Sequence, residues 1–172
     1  MIRAARTNRL PLAAAALLLA ATGCGSKASA TVEGAVAGTR FTASNFWWGG
    51  PYIVFTDVEG ECKDVAWADP GPTFASGDEA PVEGDLNAVL ITFLDTDVVK
   101  GDYAVGQVAP VDVRFISVND GEMDVYIAQE GSLKVDEVED EGNAAGSVAV
   151  SFEDGSIEGD FDIEWCNNLK GD

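Results

Sequence analysis

Near its C-terminus the chain alternates apolar and polar residues, and this pattern restricts the possible folds more than any other feature. Apolar residues or glycine occupy every second position from 148 to 152 and again from 157 to 165, and the turn sequence Glu153-Asp154-Gly155 separates the two runs. A period of two places successive side chains on opposite faces of a β-strand. Residues 147–165 therefore predict an antiparallel hairpin with one buried and one solvated face.

Three other segments extend this pattern. Residues 87–94 are apolar on both faces, which is typical of a central strand covered on both sides. Between residues 111 and 118 the apolar positions change phase, which predicts a β-bulge. Residues 68–85 are rich in proline, glycine and acids and predict a long exposed loop without regular structure. Together these segments predict an all-β fold, a single antiparallel β-sandwich or barrel-like domain of about 8–10 strands.

A second hairpin is predicted by the turn sequence Asn119-Asp120-Gly121. The strand that follows carries Met123, Val125 and Ile127 at alternate positions. Because apolar residues at alternate positions share one face of a strand, we expect these three to face the interior.

The first two dozen residues have the features of a signal peptide. Arg3, Arg6 and Arg9 precede an apolar run at residues 10–21, and no acid occurs before Cys24. A helix of that length extends about 18 Å, whereas the hydrocarbon core of a membrane is about 30 Å thick. We therefore expect a cleaved leader rather than a membrane span.

The end of this leader, Ala21-Thr22-Gly23-Cys24, resembles the processing motif of bacterial lipoprotein precursors. The resemblance implies lipidation of the Cys24 thiol, cleavage before Cys24 and acylation of its new amino group. It divides the chain into a signal peptide (1–23), a lipidated cysteine with a short tether (24–30) and a β domain (31–172). Gly25 replaces the aspartate that retains many such proteins in the inner membrane, so the outer membrane is favoured. Plain secretion with a chance cysteine is the alternative.

With Cys24 lipidated, Cys62 and Cys166 are left as an even pair in an oxidising compartment. We expect them to form a disulfide, and two free buried thiols are the alternative.

A second resemblance rests on three motifs of the predicted β domain. These are Gly34-x-Val36-x-Gly38-x-x-Phe41, Gly101-x-Tyr103-x-Val105-Gly106 and Gly155-Ser156-Ile157-x-Gly159-x-Phe161. Together they resemble a group of uncharacterised β-rich bacterial lipoproteins. The resemblance implies the β fold and the paired cysteines, and it implies no activity.

The chain is strongly acidic, with a formal net charge of −20. Cleavage after residue 23 removes three of the ten basic residues and none of the thirty acids, so the mature charge would be −23. Such a charge repels nucleic acid and anionic lipid headgroups. Cationic partners and calcium remain, and a solvated acidic surface is the simplest explanation.

The composition excludes the commonest hydrolytic sites, because the chain contains no histidine. Paired carboxylates are the remaining catalytic option. Four acids share one face of the last strand at intervals of about 6.6–6.8 Å, near the spacing of an inverting glycosidase pair. They are Glu158, Asp160, Asp162 and Glu164. No apolar pocket is evident that would desolvate one of them, so we expect no enzymatic activity and keep a glycan hydrolase as the alternative.

Weak candidates for calcium ligands lie in two acidic turns, at Asp95 and Asp97 and at Asp120 and Glu122. None matches a known calcium loop, and aspartate also favours turns for backbone reasons. We therefore expect no cofactor, with calcium as the exception to test.

An aromatic stretch is the best candidate for a ligand platform. It comprises Phe46, Trp47, Trp48 and Tyr52. In an extended chain Trp47 and Trp48 point to opposite faces, which leaves one of them for a sugar ring or an apolar partner. Packing of these rings in the core is the alternative.

These observations predict an exported, lipid-anchored envelope protein that acts as a non-enzymatic binding or interaction module. Its expected partners are the membrane, through the lipid on Cys24, and a glycan or an envelope protein, and nucleic acid is not among them. A glycan hydrolase and a structural envelope component are the alternatives.

Overall fold

A computed structural model of the protein describes residues 28–62, 66–68, 71–73, 85–106, 108–120 and 122–169. These residues form fourteen β-strands and one 3-10 helix. The strands are β1 (Ser29–Ala30), β2 (Glu33–Val36), β3 (Thr39–Thr42), β4 (Asn45–Gly49), β5 (Tyr52–Thr56), β6 (Ala66–Ala68), β7 (Gly71–Thr73), β8 (Leu86–Phe93), β9 (Gly101–Gly106), β10 (Val111–Asn119), β11 (Glu122–Ile127), β12 (Glu130–Val138), β13 (Asn143–Phe152) and β14 (Gly155–Trp165), and the 3-10 helix is Asn167–Leu169.

Eight of these strands close into a barrel in the order β13-β12-β9-β10-β8-β5-β4-β14, and β14 pairs back to β13. Six of the eight contacts are antiparallel, and β9–β10 and β4–β14 are short parallel contacts. The predicted all-β, barrel-like domain is confirmed. Of the two predicted architectures, the chain adopts the closed barrel.

The remaining strands are additions to the barrel. β1 and β2 pair with β14, β3 pairs with β2, β11 pairs with β10, and β6 and β7 form a separate two-stranded sheet. β1 begins at Ser29, two residues before the predicted start of the domain. The prediction that residues 68–85 lack regular structure is wrong for Ala68, the last residue of β6, and for 71–73, which pair with β6. Residues 69–70 and 74–84 lie outside the described residues.

The barrel interior is filled by one face of each strand. In β14 the predicted alternation is confirmed, because Ile157, Phe161 and Ile163 are buried while Glu158 and Asp160 are exposed. Aromatic rings cross the interior in edge-to-face contacts, with ring centroids 5.9 Å apart for Phe41 and Phe115 and 5.7 Å apart for Phe55 and Phe161. Such pairs add to the free energy gained from burying the rings.

A second apolar cluster lies on the outside of the barrel and is called the outer cluster below. Its buried members are Val54, Ala88, Leu90, Ile116, Cys166 and Leu169. The prediction that the central strand is covered on both faces is therefore confirmed for β8. The predicted bulge in β10 is wrong, since its register with β8 is unbroken. The apolar positions change phase because the outward-facing Ile116 belongs to the outer cluster.

The C-terminal end of the chain contributes Cys166 and Leu169 to the outer cluster. The predicted disulfide between Cys62 and Cys166 is confirmed, with the two Cα atoms 5.6 Å apart and a sequence separation of 104. Gly49 permits the close approach, because a Cβ atom there would lie 2.5 Å from the carbonyl oxygen of Cys166 and 2.8 Å from Cβ of Leu169. The N–H of Cys166 donates to the carbonyl oxygen of Trp48 at 2.7 Å.

The outward face of β11 differs from the prediction. Met123, Val125 and Ile127 were expected to face the interior, but they are 59, 45 and 52% exposed. The inward side of β11 is instead occupied by Tyr126, whose ring lies 6.1 Å from that of Phe115. Because both faces of this hairpin carry apolar residues, alternation alone did not distinguish the inner face from the outer one.

Candidate functional site

The aromatic stretch lies on β4 and at the start of β5, and its rings point in different directions. Trp48 points inward and is 3% exposed. Its ring centroid lies 4.5 Å from that of Trp165, and its Nε1–H donates to the carbonyl oxygen of Gly142 at 3.1 Å. Trp48 is therefore a core residue whose indole N–H has a partner, and it offers no surface to a ligand.

The other three rings of this stretch are half-buried. Phe46 packs against the barrel interior, and Trp47 and Tyr52 pack against the outer cluster. Tyr52 also lines a surface groove. The four rings of the predicted platform therefore do not form one surface.

This groove, called the Tyr52 groove below, lies where the β4–β5 turn meets the segment after β8. Its volume is about 560 Å³, and it is lined by Pro51, Tyr52, Thr92, Phe93, Leu94, Thr96 and Asp97. Two backbone hydrogen bonds join its walls: Val98 N–H to the carbonyl oxygen of Gly50 (2.9 Å) and Phe93 N–H to that of Pro51 (2.8 Å). Val98, which belongs to the segment after β8, has a buried side chain. The groove is therefore held in place by backbone contacts.

The Tyr52 groove combines an aromatic ring and an apolar side chain with several polar groups. Tyr52 lies opposite Thr92 in the sheet, and Leu94 is 57% exposed. Burial raises the pKa of the Tyr52 phenol, so its hydroxyl keeps the proton at neutral pH. Thr96 adds a hydroxyl and Asp97 a carboxylate. The size and this mixture of apolar and polar groups are typical of a small-molecule site.

A second groove of about 400 Å³, the carboxylate groove, lies on the outer face of the barrel next to β14. It brings Glu33, Glu158 and Asp160 together with the hydroxyls of Thr31, Ser132 and Ser147. Two of the four acids predicted to share a strand face therefore line one groove. Of the other two, Asp162 accepts a hydrogen bond from Nδ2 of Asn143 at 2.9 Å.

The candidate calcium ligands lie at two different ends of the barrel. Asp95 and Asp97 follow β8, whereas Asp120 lies in the turn after β10 and Glu122 is the first residue of β11. Because β8 and β10 are antiparallel, these turns are separated by the length of β10, about 25 Å at 3.3 Å per residue. The two pairs cannot share an ion. Among the described residues, no three metal-ligating side chains of the Asp, Glu, His or Cys type are grouped to hold one.

A polar network inside one end of the barrel was not predicted. Both carboxylate oxygens of Asp57 accept hydrogen bonds from Asn87, one from its backbone N–H at 2.8 Å and one from its Nδ2 at 2.6 Å. Ser117 donates to Oδ1 of Asn87 at 2.8 Å, and Asn119 donates to Ser117 at 2.8 Å. Asn87 and Ser117 are buried, so this network satisfies polar groups in the fold. The only sequence signal was a polar residue within each of two apolar strands.

Residues 1–27, including Cys24, lie outside the described residues. In the part of the chain that is described, no helix has the length and apolar character needed to cross a membrane. No protein-family model, curated protein or solved structure matches the chain.

Proposed function

We propose that this protein is an exported, lipid-anchored envelope module that binds a glycan in the Tyr52 groove without transforming it. The observation that carries the proposal is the composition of that groove. The ring of Tyr52 offers a face for the C–H surface of a sugar. The hydroxyls of Thr92 and Thr96 and the carboxylate of Asp97 offer hydrogen bonds to its hydroxyl groups.

The course of the N-terminal segment supports an anchored module. β1 is antiparallel to β14, so its first residue, Ser29, lies on the side toward the end of the barrel where Trp165 lies beside Trp48. The β4–β5 turn, with Pro51 of the Tyr52 groove, lies at the same end. Residues 25–28 reach at most about 14 Å when extended. A lipid on Cys24 would therefore hold the Tyr52 groove close to the membrane surface.

The charge of the protein restricts the ligand. With a net charge of −20, the chain repels polyanionic polymers. Asp97 favours a ligand that presents hydroxyl or ammonium groups to the groove. A neutral sugar or an amino sugar of the envelope satisfies both conditions.

The proposal is tested by titrating the mature protein with soluble oligosaccharides of glucosamine and N-acetylglucosamine in a calorimeter. The Asp97→Asn variant should bind the glucosamine oligomers about tenfold more weakly, because it loses a charge-assisted hydrogen bond. Asp102→Asn is the matched control, since it removes the same charge from an exposed position outside the groove. Equal loss in both variants, or no binding to the unsubstituted protein, would refute glycan binding at Asp97.

The anchor is tested separately by growing cells with a radiolabelled fatty acid. Cys24→Ser should remove the label from the protein and release the mature domain from membranes, because the thiol is the proposed attachment point. A label that persists in this variant would contradict lipidation of Cys24.

The carboxylate groove is the location of the competing proposal, a glycan hydrolase. It is favoured by the presence of Glu33, Glu158 and Asp160 around one groove. Release of reducing sugars from envelope polysaccharides, lost in Glu158→Gln and retained in Glu164→Gln, would establish this activity and refute the non-enzymatic proposal. A purely structural role, the third alternative, predicts saturable binding at neither groove.

A further inference from the structure

β11 is an edge strand that lies outside the closed ring of the barrel. Within the described residues it pairs with β10 alone. Along Glu122–Ile127, the other edge of this strand has no partner strand in the part of the chain that the structure describes. An open edge presents backbone N–H and C=O groups that another extended chain can pair with.

The register shows which backbone groups face the open edge. Ala128 donates its N–H to the carbonyl oxygen of Val113 at 2.8 Å, one step beyond the aligned pair of Arg114 and Ile127. In an antiparallel pair, hydrogen-bonded and non-hydrogen-bonded positions alternate. Tyr126 and Asp124 are therefore bonded to β10. The N–H and C=O groups of Met123, Val125 and Ile127 point away from β10, toward the open edge.

The same three residues also present their side chains to solvent. Met123, Val125 and Ile127 are 45–59% exposed on the outward face of the hairpin. Val125 lies opposite Ile116 of the outer cluster, so this face continues a surface that is buried elsewhere on the barrel. β11 thus offers a row of backbone hydrogen bonds and a row of apolar side chains to one occupant.

The edge strand β3 shows that this arrangement is not a general property of the fold. β3 also lies at the end of the sheet order, with one described neighbour. Its single large apolar side chain, Phe41, is buried, and its other side chains are Thr39, Arg40 and Thr42. Charged and polar edges discourage pairing with a second chain. β11 lacks that protection on its outward face.

The charge around β11 indicates what kind of chain pairs with it. Glu122 and Asp124 are exposed on its other face, and Asp120 lies in the adjoining turn. Arg114, opposite Ile127, is ion-paired with Asp112 at 2.6 Å. A second copy of the chain would bring another net charge of −20, and an anionic membrane surface is repelled for the same reason. A basic segment is attracted.

We propose that β11 is the docking strand for an extended segment of a basic partner protein, which adds one antiparallel strand to the sheet. In that segment apolar and basic residues alternate. Its apolar side chains lie beside Met123, Val125 and Ile127, and its Lys or Arg side chains lie on the face of Glu122 and Asp124. This surface is distinct from the Tyr52 groove, and the interaction does not depend on glycan binding.

The test uses the mature protein and three synthetic eight-residue peptides with alternating sequence. The first alternates Lys and Val, the second alternates Glu and Val, and the third is the Lys-Val peptide with its backbone N-methylated on one edge. The Lys-Val peptide should bind in a fluorescence polarisation titration, and its affinity should fall with added salt. The Glu-Val peptide should not bind, and methylation of the pairing edge should weaken binding at least about tenfold.

Variants of the protein test whether the peptide binds at β11. Val125→Pro removes one N–H at the open edge, where no hydrogen bond to β10 is lost, and should weaken binding of the Lys-Val peptide about tenfold. The triple variant Met123→Thr, Val125→Thr and Ile127→Thr places a β-branched residue with a polar hydroxyl at all three positions, and it should weaken binding similarly. Val108→Thr alters a fully exposed apolar residue elsewhere and is the matched control.

Three results would overturn the proposal. The first is unchanged affinity in both β11 variants, which would mean that the peptide only follows the overall charge. The second is no binding of the Lys-Val peptide to the unsubstituted protein. The third is a dimer in sedimentation that Val125→Pro dissociates, since a second copy would then be the occupant. Asp97→Asn should leave peptide binding unchanged.

Discussion

The outward face of the barrel has a covered part and an open part, although both carry similar residues. On β5, β8 and β10 the side chains of Val54, Leu90 and Ile116 are buried in the outer cluster, to which the C-terminal segment contributes Cys166 and Leu169. On β11, directly beside Ile116, Val125 is half exposed. The two parts carry similar apolar residues and differ in whether another segment of the chain packs on them. Whether a strand face is buried therefore depends on residues that are distant in sequence.

Of the contacts that hold the C-terminal segment against the barrel, the disulfide should make the largest contribution to the free energy of unfolding. Replacing both cysteines, Cys62→Ser with Cys166→Ser, removes a bridge between residues 104 apart. A loop of this size contributes up to about 4.7 kcal/mol on the chain-entropy model, so the free energy of unfolding in urea should fall by several kcal/mol.

The variant Cys24→Ser is the control for this experiment, because it removes a cysteine and leaves the bridge intact. In the double variant that lacks the bridge, hydrogen exchange should become faster first on β5 and β8, which contribute to the outer cluster, and later on β13 and β14. Equal unfolding free energies for the double variant and the control would contradict a stabilising role for the bridge.

Leu169 should show the next largest effect, since it is fully buried against the outer cluster. Leu169→Ala removes this contact and leaves a cavity, which costs about 2–5 kcal/mol. Leu94→Ala is the matched control, because Leu94 is exposed and its truncation should change the unfolding free energy by less than about 0.5 kcal/mol. Similar losses for the two leucines would show that the 3-10 helix does not cover the barrel in solution.

The substitution Gly49→Ala tests whether the C-terminal segment must lie in close contact with β4. In Gly49→Ala the new methyl group would lie 2.5 Å from the carbonyl oxygen of Cys166, so the C-terminal segment must shift outward. We expect a loss of about 1–3 kcal/mol and faster exchange of the Cys166 N–H, which is bonded to Trp48. No change in Cys166 exchange would contradict the close contact.

Much of the fold could be predicted because its local pattern agrees with its tertiary environment. The period of two in β14 matched the observed burial of Ile157, Phe161 and Ile163. The closure of the barrel could not be predicted, because the parallel contact of β4 with β14 joins residues more than 100 positions apart. The inward-facing side of β11 could not be predicted either, since it depends on which side of the strand packs against distant segments of the chain.

Less of the candidate site was predictable than of the fold. Extended geometry correctly placed Trp47 and Trp48 on opposite sides of β4, but it did not say which ring reaches a ligand. The Tyr52 groove requires Tyr52 and Asp97 to meet, and they are joined by a β5–β8 pairing that no local pattern specifies. The role of Asp57 could not be predicted either, because its carboxylate accepts a hydrogen bond from the buried Asn87, which is 30 positions away in sequence.

The smallest expected effect comes from replacing a valine by threonine, which we compare between the covered and the open part of the outward face. Val54→Thr places a hydroxyl in the covered part, where Val54 is fully buried, and should cost about 1–3 kcal/mol because the new group is desolvated. Val125→Thr places the same hydroxyl on the open part, where water can reach it, and should change the unfolding free energy by less than about 0.5 kcal/mol. Urea denaturation of both variants measures the difference. A loss at Val125 as large as that at Val54 would mean that β11 is covered in solution, and a partner or a second copy should then be sought by sedimentation of the unsubstituted protein.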